Sequence, residues 1–100
     1  MSTDCFIVVG YNNSRIYDVA KLRDICHREY RAAVVLVTEH AKPQDHAAAD
    51  VVLVAPLGAV EGAVAVAPIA EELRRLDLRP VGVLPFSDRG VPLVLQPHLL

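Results

Sequence analysis

The stretch Cys5-Phe6-Ile7-Val8-Val9-Gly10 is a continuous apolar run, rich in β-branched residues, that ends in a glycine. Runs of this length and composition are typical of strands that are covered on both faces, as in parallel sheets. A polar segment, residues 11–15, follows it. Apolar residues then recur at helical spacing, at Ile16, Val19, Leu22, Cys26 and Tyr30. The succession predicts a buried strand followed by an amphipathic helix.

The same alternation continues along the chain, with further apolar runs at residues 32–38, 51–54 and 81–84. Between the second and third runs, Asp45 is predicted to cap one helical turn. Pro68 is predicted to begin a helix before the fourth run, because proline suits the first position of a helix. Residues 59–67 fit either a helix or an extended segment. A final helix is predicted to begin near Asp88.

Repeated strand, helix, strand units imply right-handed crossovers and a parallel sheet with helices on both faces. We therefore expect an α/β fold, namely a three-layer Rossmann-like or flavodoxin-like domain with a four-stranded parallel sheet. The expected strand order places the first strand between the second and the third, with the fourth beyond the third. A chain of 100 residues holds one such domain.

Composition narrows the classes of function. The chain is 53% hydrophobic and 22% charged, which predicts a packed core, and its formal net charge of -2 argues against a nucleic-acid partner. The sequence contains no run of about 18 apolar residues of the kind that spans a membrane, so no membrane partner is expected. We expect a cytoplasmic protein. Cys5 and Cys26 lack CxxC spacing and are predicted to be buried core thiols.

Ligands of open parallel sheets bind beyond the carboxyl ends of the strands, which makes residues 10–15, 38–40, 55–58 and 85–90 the candidate loops. The first loop has only Gly10 where a dinucleotide site needs GxGxxG, and Glu39 lies farther along than the roughly 20 residues expected of a ribose-binding acid. An NAD site is not expected. A P-loop is also missing, because no glycine precedes Lys-Ser or Lys-Thr.

Metal and nucleophile motifs are equally lacking. The four histidines include no i, i+4 pair and are predicted to be structural or exposed, at His27, His40, His46 and His98. No serine lies in G-x-S-x-G, and neither cysteine has an identifiable histidine partner. Asn13 and Ser14 fit two interpretations, either as caps of the first helix or as an anion cradle at its start.

The segment Leu84-Pro85-Phe86-Ser87-Asp88-Arg89-Gly90-Val91 joins a strand to a polar turn, with Ser87 or Asp88 suited to cap a helix. It resembles the Pro-x-Ser-Asp/Glu-x-Gly/Ala turn of the pre-ATP-grasp domain, which precedes the ATP-grasp fold in carboxylate-amine ligases. The first strand, which ends in glycine before an Asn/Ser loop, is also similar. The resemblance covers residues 5 to about 93.

The resemblance implies that residues 1–100 are one pre-ATP-grasp-like domain, truncated relative to a longer ligase. Such ligases activate a small-molecule carboxylate to an acyl phosphate with ATP, and an amine or similar nucleophile then attacks. ATP and Mg²⁺ are expected for the full-length enzyme, whereas no catalytic residue, metal or cofactor is expected in this chain. The resemblance assigns four substrate-side positions, Asn13, Ser14, Ser87 and Asp88. The ATP-grasp domain or another chain is expected to cover the sheet.

The end of the chain departs from the family, which usually continues into a helix rich in Ala and Leu, whereas Pro97 would break one. Truncation, a frameshift and true divergence all fit this departure. The alternative function is a free-standing flavodoxin-like module that binds a small molecule or nucleotide without catalysis. A receiver version is disfavoured, because Gly10 and Pro56 lie where its acids would be.

Overall fold

The computed structural model of the chain describes residues 2–11, 16–55 and 59–86. These residues form a four-stranded sheet in which all three strand pairs are parallel, with helices on both faces. The predicted α/β fold class is therefore confirmed. The elements, in chain order, are β1 (Thr3–Tyr11), α1 (Ile16–Ile25), β2 (Ala33–Thr38), α2 (Pro43–Ala48), β3 (Val51–Val54), α3 (Ala59–Arg75) and β4 (Leu78–Phe86).

The predicted strand order is wrong, because the sheet runs β3-β2-β1-β4. The fourth strand lies beside the first strand and not beyond the third. The connections through α1 and α2 run in one direction across the sheet, and α3 then carries the chain back past β2 and β1. Crossovers of one hand that run in opposite directions place their helices on opposite faces. The observed order is that of the first four strands of the dinucleotide-binding fold.

Two core clusters cover the two faces of the sheet, and β1 contributes to both. On one face, β1 and β2 pack against α3 through a set of fully buried side chains, which includes Cys5, Ile7, Val9, Val35, Val37, Ile69 and Leu73. On the other face they pack against α1 and α2, with Val8, Val19, Cys26, Val34, Leu36 and Ala48 buried. Burial of each large aliphatic side chain contributes about 1.5–3 kcal/mol to folding.

The first helix has the predicted start and extent but an unexpected ending. After Ile25 the chain continues as a π-helical turn, Cys26–Tyr30. Arg31 then adopts a left-handed conformation with φ of 50°, and the N–H of Ala32 donates to the carbonyl oxygen of Cys26 at 3.0 Å. The turn buries Cys26 and leaves Tyr30 largely exposed, with its ring edge against Phe6.

The other two helices begin earlier than predicted. Lys42 is the N-cap of α2, so Asp45 is the third residue of the helix and its carboxylate accepts the Lys42 N–H at 2.8 Å. Residues 59–67, left open from sequence, belong to α3, and Pro68 lies inside that helix. Alanine has the highest helix propensity, and the alanines before Pro68 favour helix on its N-terminal side.

The fourth strand is longer than predicted and contains Pro80 and Pro85 within its bounds. Proline is tolerated there because β4 is an edge strand of the described sheet, and among the described residues one side of it has no ladder partner. Ile69 and Leu73 of α3 are buried in the core, whereas Leu76 lies beyond the end of α3 and is partly exposed. The helix predicted near Asp88 lies outside the described residues. Among the helices that are described, none is long and apolar enough to span a membrane.

Gly82 is required by the close approach of β4 to an aromatic ring. Gly82 pairs with Phe6 across the β1–β4 ladder. A Cβ atom built on Gly82 would lie 2.8 Å from Cδ1 of Phe6, closer than carbon atoms can pack. The Phe6 ring also contacts Tyr30 edge to face, with the ring centroids 5.6 Å apart. A side chain at position 82 would therefore displace a ring that joins β1 to the π-helical turn.

We expect Gly82→Ala to destabilise the domain by about 1–2 kcal/mol, because the added methyl overpacks this contact. Urea unfolding measures the loss. In a Phe6→Ala background the clash is absent, so there Gly82→Ala should leave the unfolding midpoint unchanged or raise it, since alanine restricts the unfolded chain. An equal loss in both backgrounds would contradict the proposed contact.

Candidate functional site

The direction of chain progression reverses between β1 and β4. From β1 the chain moves toward β2 over one face, and it reaches β4 over the other face. In open α/β sheets this reversal opens a crevice beyond the carboxyl ends of the two strands, where ligands bind. The two strand ends are adjacent, because Tyr11 pairs with Phe86. We define the crevice at this edge, beside β1 and β4, as the candidate site.

Gly10 shapes the end of β1 at this crevice. The register between β1 and β4 shifts between Val9 and Tyr11, so Gly10 is an extra residue in the ladder. Its φ of 69° is left-handed, a conformation that glycine adopts without steric cost. Bulges of this kind bend a strand and are common beside functional sites. The end of β1 therefore requires a glycine at position 10, because the bulge there adopts a left-handed conformation.

The four predicted substrate-side residues, Asn13, Ser14, Ser87 and Asp88, lie outside the described residues. The strand ends that precede them, Tyr11 and Phe86, are paired. The expectation that the first and fourth strands release their chains at the same edge is therefore confirmed. The roles assigned to the four residues stay predictions.

Glu39 lies at the same edge of the sheet. It directly follows β2, which pairs with β1 through Val37 and Val9 near their ends. Its distance of 29 residues from Gly10 (39 − 10) argued against a ribose-binding role. The π-helical turn Cys26–Tyr30 lies within that separation. The side-chain role of Glu39 is not assigned by its position alone.

Both cysteines are buried, as predicted, and both are free thiols. Burial, and secondarily the charge of Asp4, raises the pKa of the Cys5 thiol to about 11. Burial and then the charge of Asp50 raise the pKa of the Cys26 thiol as well. Because the thiolate is the nucleophile, these shifts make both cysteines unreactive at neutral pH. Their role is to fill the two core clusters.

A polar cluster lies at the opposite, amino-terminal edge of the sheet. Asp50, just before β3, accepts the backbone N–H of Val34 through Oδ2 at 2.8 Å, and its own N–H donates to the Val34 carbonyl oxygen at 3.0 Å. Nε2 of His27 lies 2.7 Å from the same Oδ2. The cluster joins the π-helical turn to β2 and β3. Because it faces away from the crevice, we interpret it as a structural clamp.

The described histidines are all exposed, at His27, His40 and His46, which agrees with their prediction. Within the described ranges, no three His, Cys, Asp or Glu side chains are grouped closely enough to hold a metal ion. A shallow groove of about 240 Å³ lies between α1 and α2, with Tyr17 and Gln44 among its lining residues. Its remaining lining is alanine, at Ala20, Ala47 and Ala48, so it offers few polar groups.

Comparison of the chain with protein-family models, with curated proteins and with solved structures finds no match. Function is therefore inferred from the fold and from the crevice.

We expect Asp50→Ala to lower the free energy of unfolding by about 1–3 kcal/mol, because the part-buried Val34 N–H loses its side-chain acceptor. Asp50→Asn retains an acceptor oxygen and should cost less. His27→Ala should cost less than about 1 kcal/mol, since an exposed pair contributes little. Urea midpoints measure all three. A His27→Ala loss equal to that of Asp50→Ala would show that the histidine contact carries the clamp.

Proposed function

We propose that this chain is the N-terminal, substrate-side domain of an ATP-grasp carboxylate-amine ligase. The observation that carries the proposal is the pairing of Tyr11 with Phe86 at the point where the strand order reverses. The two segments that resemble the pre-ATP-grasp domain follow these two strand ends. A crevice between them would bring Asn13 and Ser14 to the same ligand as Ser87 and Asp88.

In the proposed reaction, a carboxylate oxygen of the substrate attacks the γ-phosphorus of ATP, and ADP leaves. An amine or similar nucleophile then attacks the acyl carbon, and inorganic phosphate leaves. The role of this domain is to hold the carboxylate substrate in the crevice, using hydroxyl, amide and carboxylate side chains. ATP and Mg²⁺ would bind to the ATP-grasp domain. A cytoplasmic location fits the two free thiols.

An apolar strip on β4 supports a docked ATP-grasp domain. We define the β4 strip as Gly82 and Leu84 of β4 with the neighbouring Phe6 of β1 and Tyr30 of the π-helical turn. Gly82 and Leu84 pair with Phe6 and Val8, which lie on the face that carries α1 and α2, and Tyr30 contacts Phe6. Tyr30 is 62% exposed and Leu84 38% exposed. Among the described residues, the core cluster on this face includes no side chain of β4. Apolar surface of this kind is commonly covered by a partner, and the proposed occupant is the ATP-grasp domain.

A second function is favoured by the strand order. The β3-β2-β1-β4 order matches one half of the dinucleotide-binding fold, whose crevice binds nucleotides. The chain would then be a free-standing module that binds a small molecule or nucleotide without catalysis. The missing GxGxxG weakens the dinucleotide version. Ligase activity of the longest chain that its gene encodes would separate the two functions.

The site residues are tested by Asn13→Ala, Ser14→Ala, Ser87→Ala and Asp88→Ala in that longest chain. We expect lower substrate-dependent phosphate release from ATP, with nearly unchanged urea midpoints, because side chains that bind ligands contribute little to folding. A cap would behave differently, since its removal costs about 0.5–2 kcal/mol of stability. Variants that unfold earlier yet keep full turnover would identify these residues as caps and remove the site assignment.

We expect the isolated chain of residues 1–100 to show no tight binding of Mg-ATP, because it has neither a P-loop nor an ATP-grasp domain. Isothermal calorimetry measures this. A dissociation constant of about 1 μM or below, equivalent to about -8 kcal/mol, would contradict the proposal that ATP binds to the ATP-grasp domain and not to this one. That result would favour the nucleotide-binding module.

A further inference from the structure

The two edges of the sheet differ in how they are protected. β4 contains Pro80 and Pro85, and its pairing with β1 is interrupted by an extra residue, Val81. Prolines and bulges of this kind hinder an edge strand from pairing with another chain. β3, at the other edge, reads Val-Val-Leu-Val, and its register with β2 is continuous. β3 therefore has no proline, charged side chain or bulge that would protect its edge.

The outer edge of β3 is open within the described part of the chain, where β2 is the only strand beside it. Apolar side chains continue to the end of this strand, and Val54 is 62% exposed. An edge strand presents a row of unpaired backbone N–H and C=O groups. Such groups beside exposed apolar side chains form a template for one more strand.

A second copy of the chain fits this edge by symmetry. When two β3 strands pair antiparallel about a twofold axis, each residue lies opposite a residue on the same face of the sheet. Val52 packs on the α1 and α2 face, and alternation along the strand puts Val54 on that face too. Pairing centred on Leu53 places Val54 of each copy opposite Val52 of the other. Pairing centred on Val52 would instead place Val54 opposite Asp50, so the Leu53-centred register is favoured.

The distribution of charge is compatible with this register. β3 contains no ionisable side chain, so no like charges lie opposite each other within the paired strands. Asp50, which precedes β3, directs its carboxylate at Val34 and His27 of its own chain. The two Asp50 residues would lie about 20 Å apart along the strands. This separation exceeds the Debye length of about 8 Å in physiological salt, so their repulsion is screened.

We propose that β3 pairs with β3 of a second copy of this chain, antiparallel and centred on Leu53, so that one sheet continues across both copies. The proposal goes beyond the ligase function, because this edge is on the other side of the sheet from the crevice. It applies equally to a free-standing module. One short strand from each copy makes a small interface, so we expect a weak dimer that forms as the concentration rises.

Sedimentation velocity over a wide range of concentrations measures the association. We expect the mass to rise from that of one chain toward that of two. Val54→Lys should weaken association about ten-fold or more, because each new ammonium group would lie opposite a valine and about 7–8 Å from its symmetry mate. Val54→Thr keeps a β-branched side chain and should retain the association. Val81→Lys places the same charge on the other edge strand at a partly exposed position, and as the matched control it should retain the association.

Loss of association in Val54→Lys alone, with NOE contacts between Val52 and Val54 of differently labelled copies, would support the proposal. A single-chain mass at every concentration up to about 1 mM would overturn it. Association that survives Val54→Lys, or that is lost in Val81→Lys, would overturn it as well. Urea unfolding checks that Val54→Lys keeps the fold, as the exposure of Val54 predicts. If this variant unfolds, the NOE contacts of the unmodified chain decide, and their absence in the associated state overturns the proposal.

Discussion

Hydrogen bonding along both edges of β1 is the constraint on which the rest of the domain depends. β1 pairs with β2 on one side and with β4 on the other. Its side chains alternate between the two core clusters, so that Ile7 and Val9 contact the α3 layer while Val8 contacts the α1 and α2 layer. A strand enclosed on two edges and two faces has to be apolar throughout. The quoted stretch of sequence meets that requirement.

The same constraint determines where a ligand can bind. Because β1 has a neighbour on each side, the chain reaches those neighbours by crossovers on opposite faces. The reversal of direction beside β1 separates the two helix layers at the carboxyl edge. Gly10 bends the strand at that point. The position of β1 in the sheet therefore determines both where this strand ends and where the crevice is expected.

Much of the fold was predictable from sequence, because apolar runs and helical spacing are local signals. They located all four strands, and the third matched residue for residue. Strand order was not predictable in the same way, since an apolar run shows that a strand is buried but not which strand lies beside it. The prediction that a helix begins at Pro68 was wrong, because proline is also tolerated inside a helix that tertiary packing supports, and α3 begins at Ala59. The shared edge at which β1 and β4 end was predicted from the parallel sheet, and its role as a ligand site stays a prediction. The prediction that Glu39 is not a ribose-binding acid stays a prediction.

The most direct test of this account is the identity of the strands that flank β1 in solution. Interstrand NOE contacts between backbone protons measure it. We expect contacts from Ile7 to Val35 of β2 and from Ile7 to Val83 of β4, and none from β1 to β3. Contacts from β1 to Val51–Val54 in place of those to β4 would contradict the observed order. The crevice beside β1 and β4 would then not exist, and the function proposed for it would fall with it.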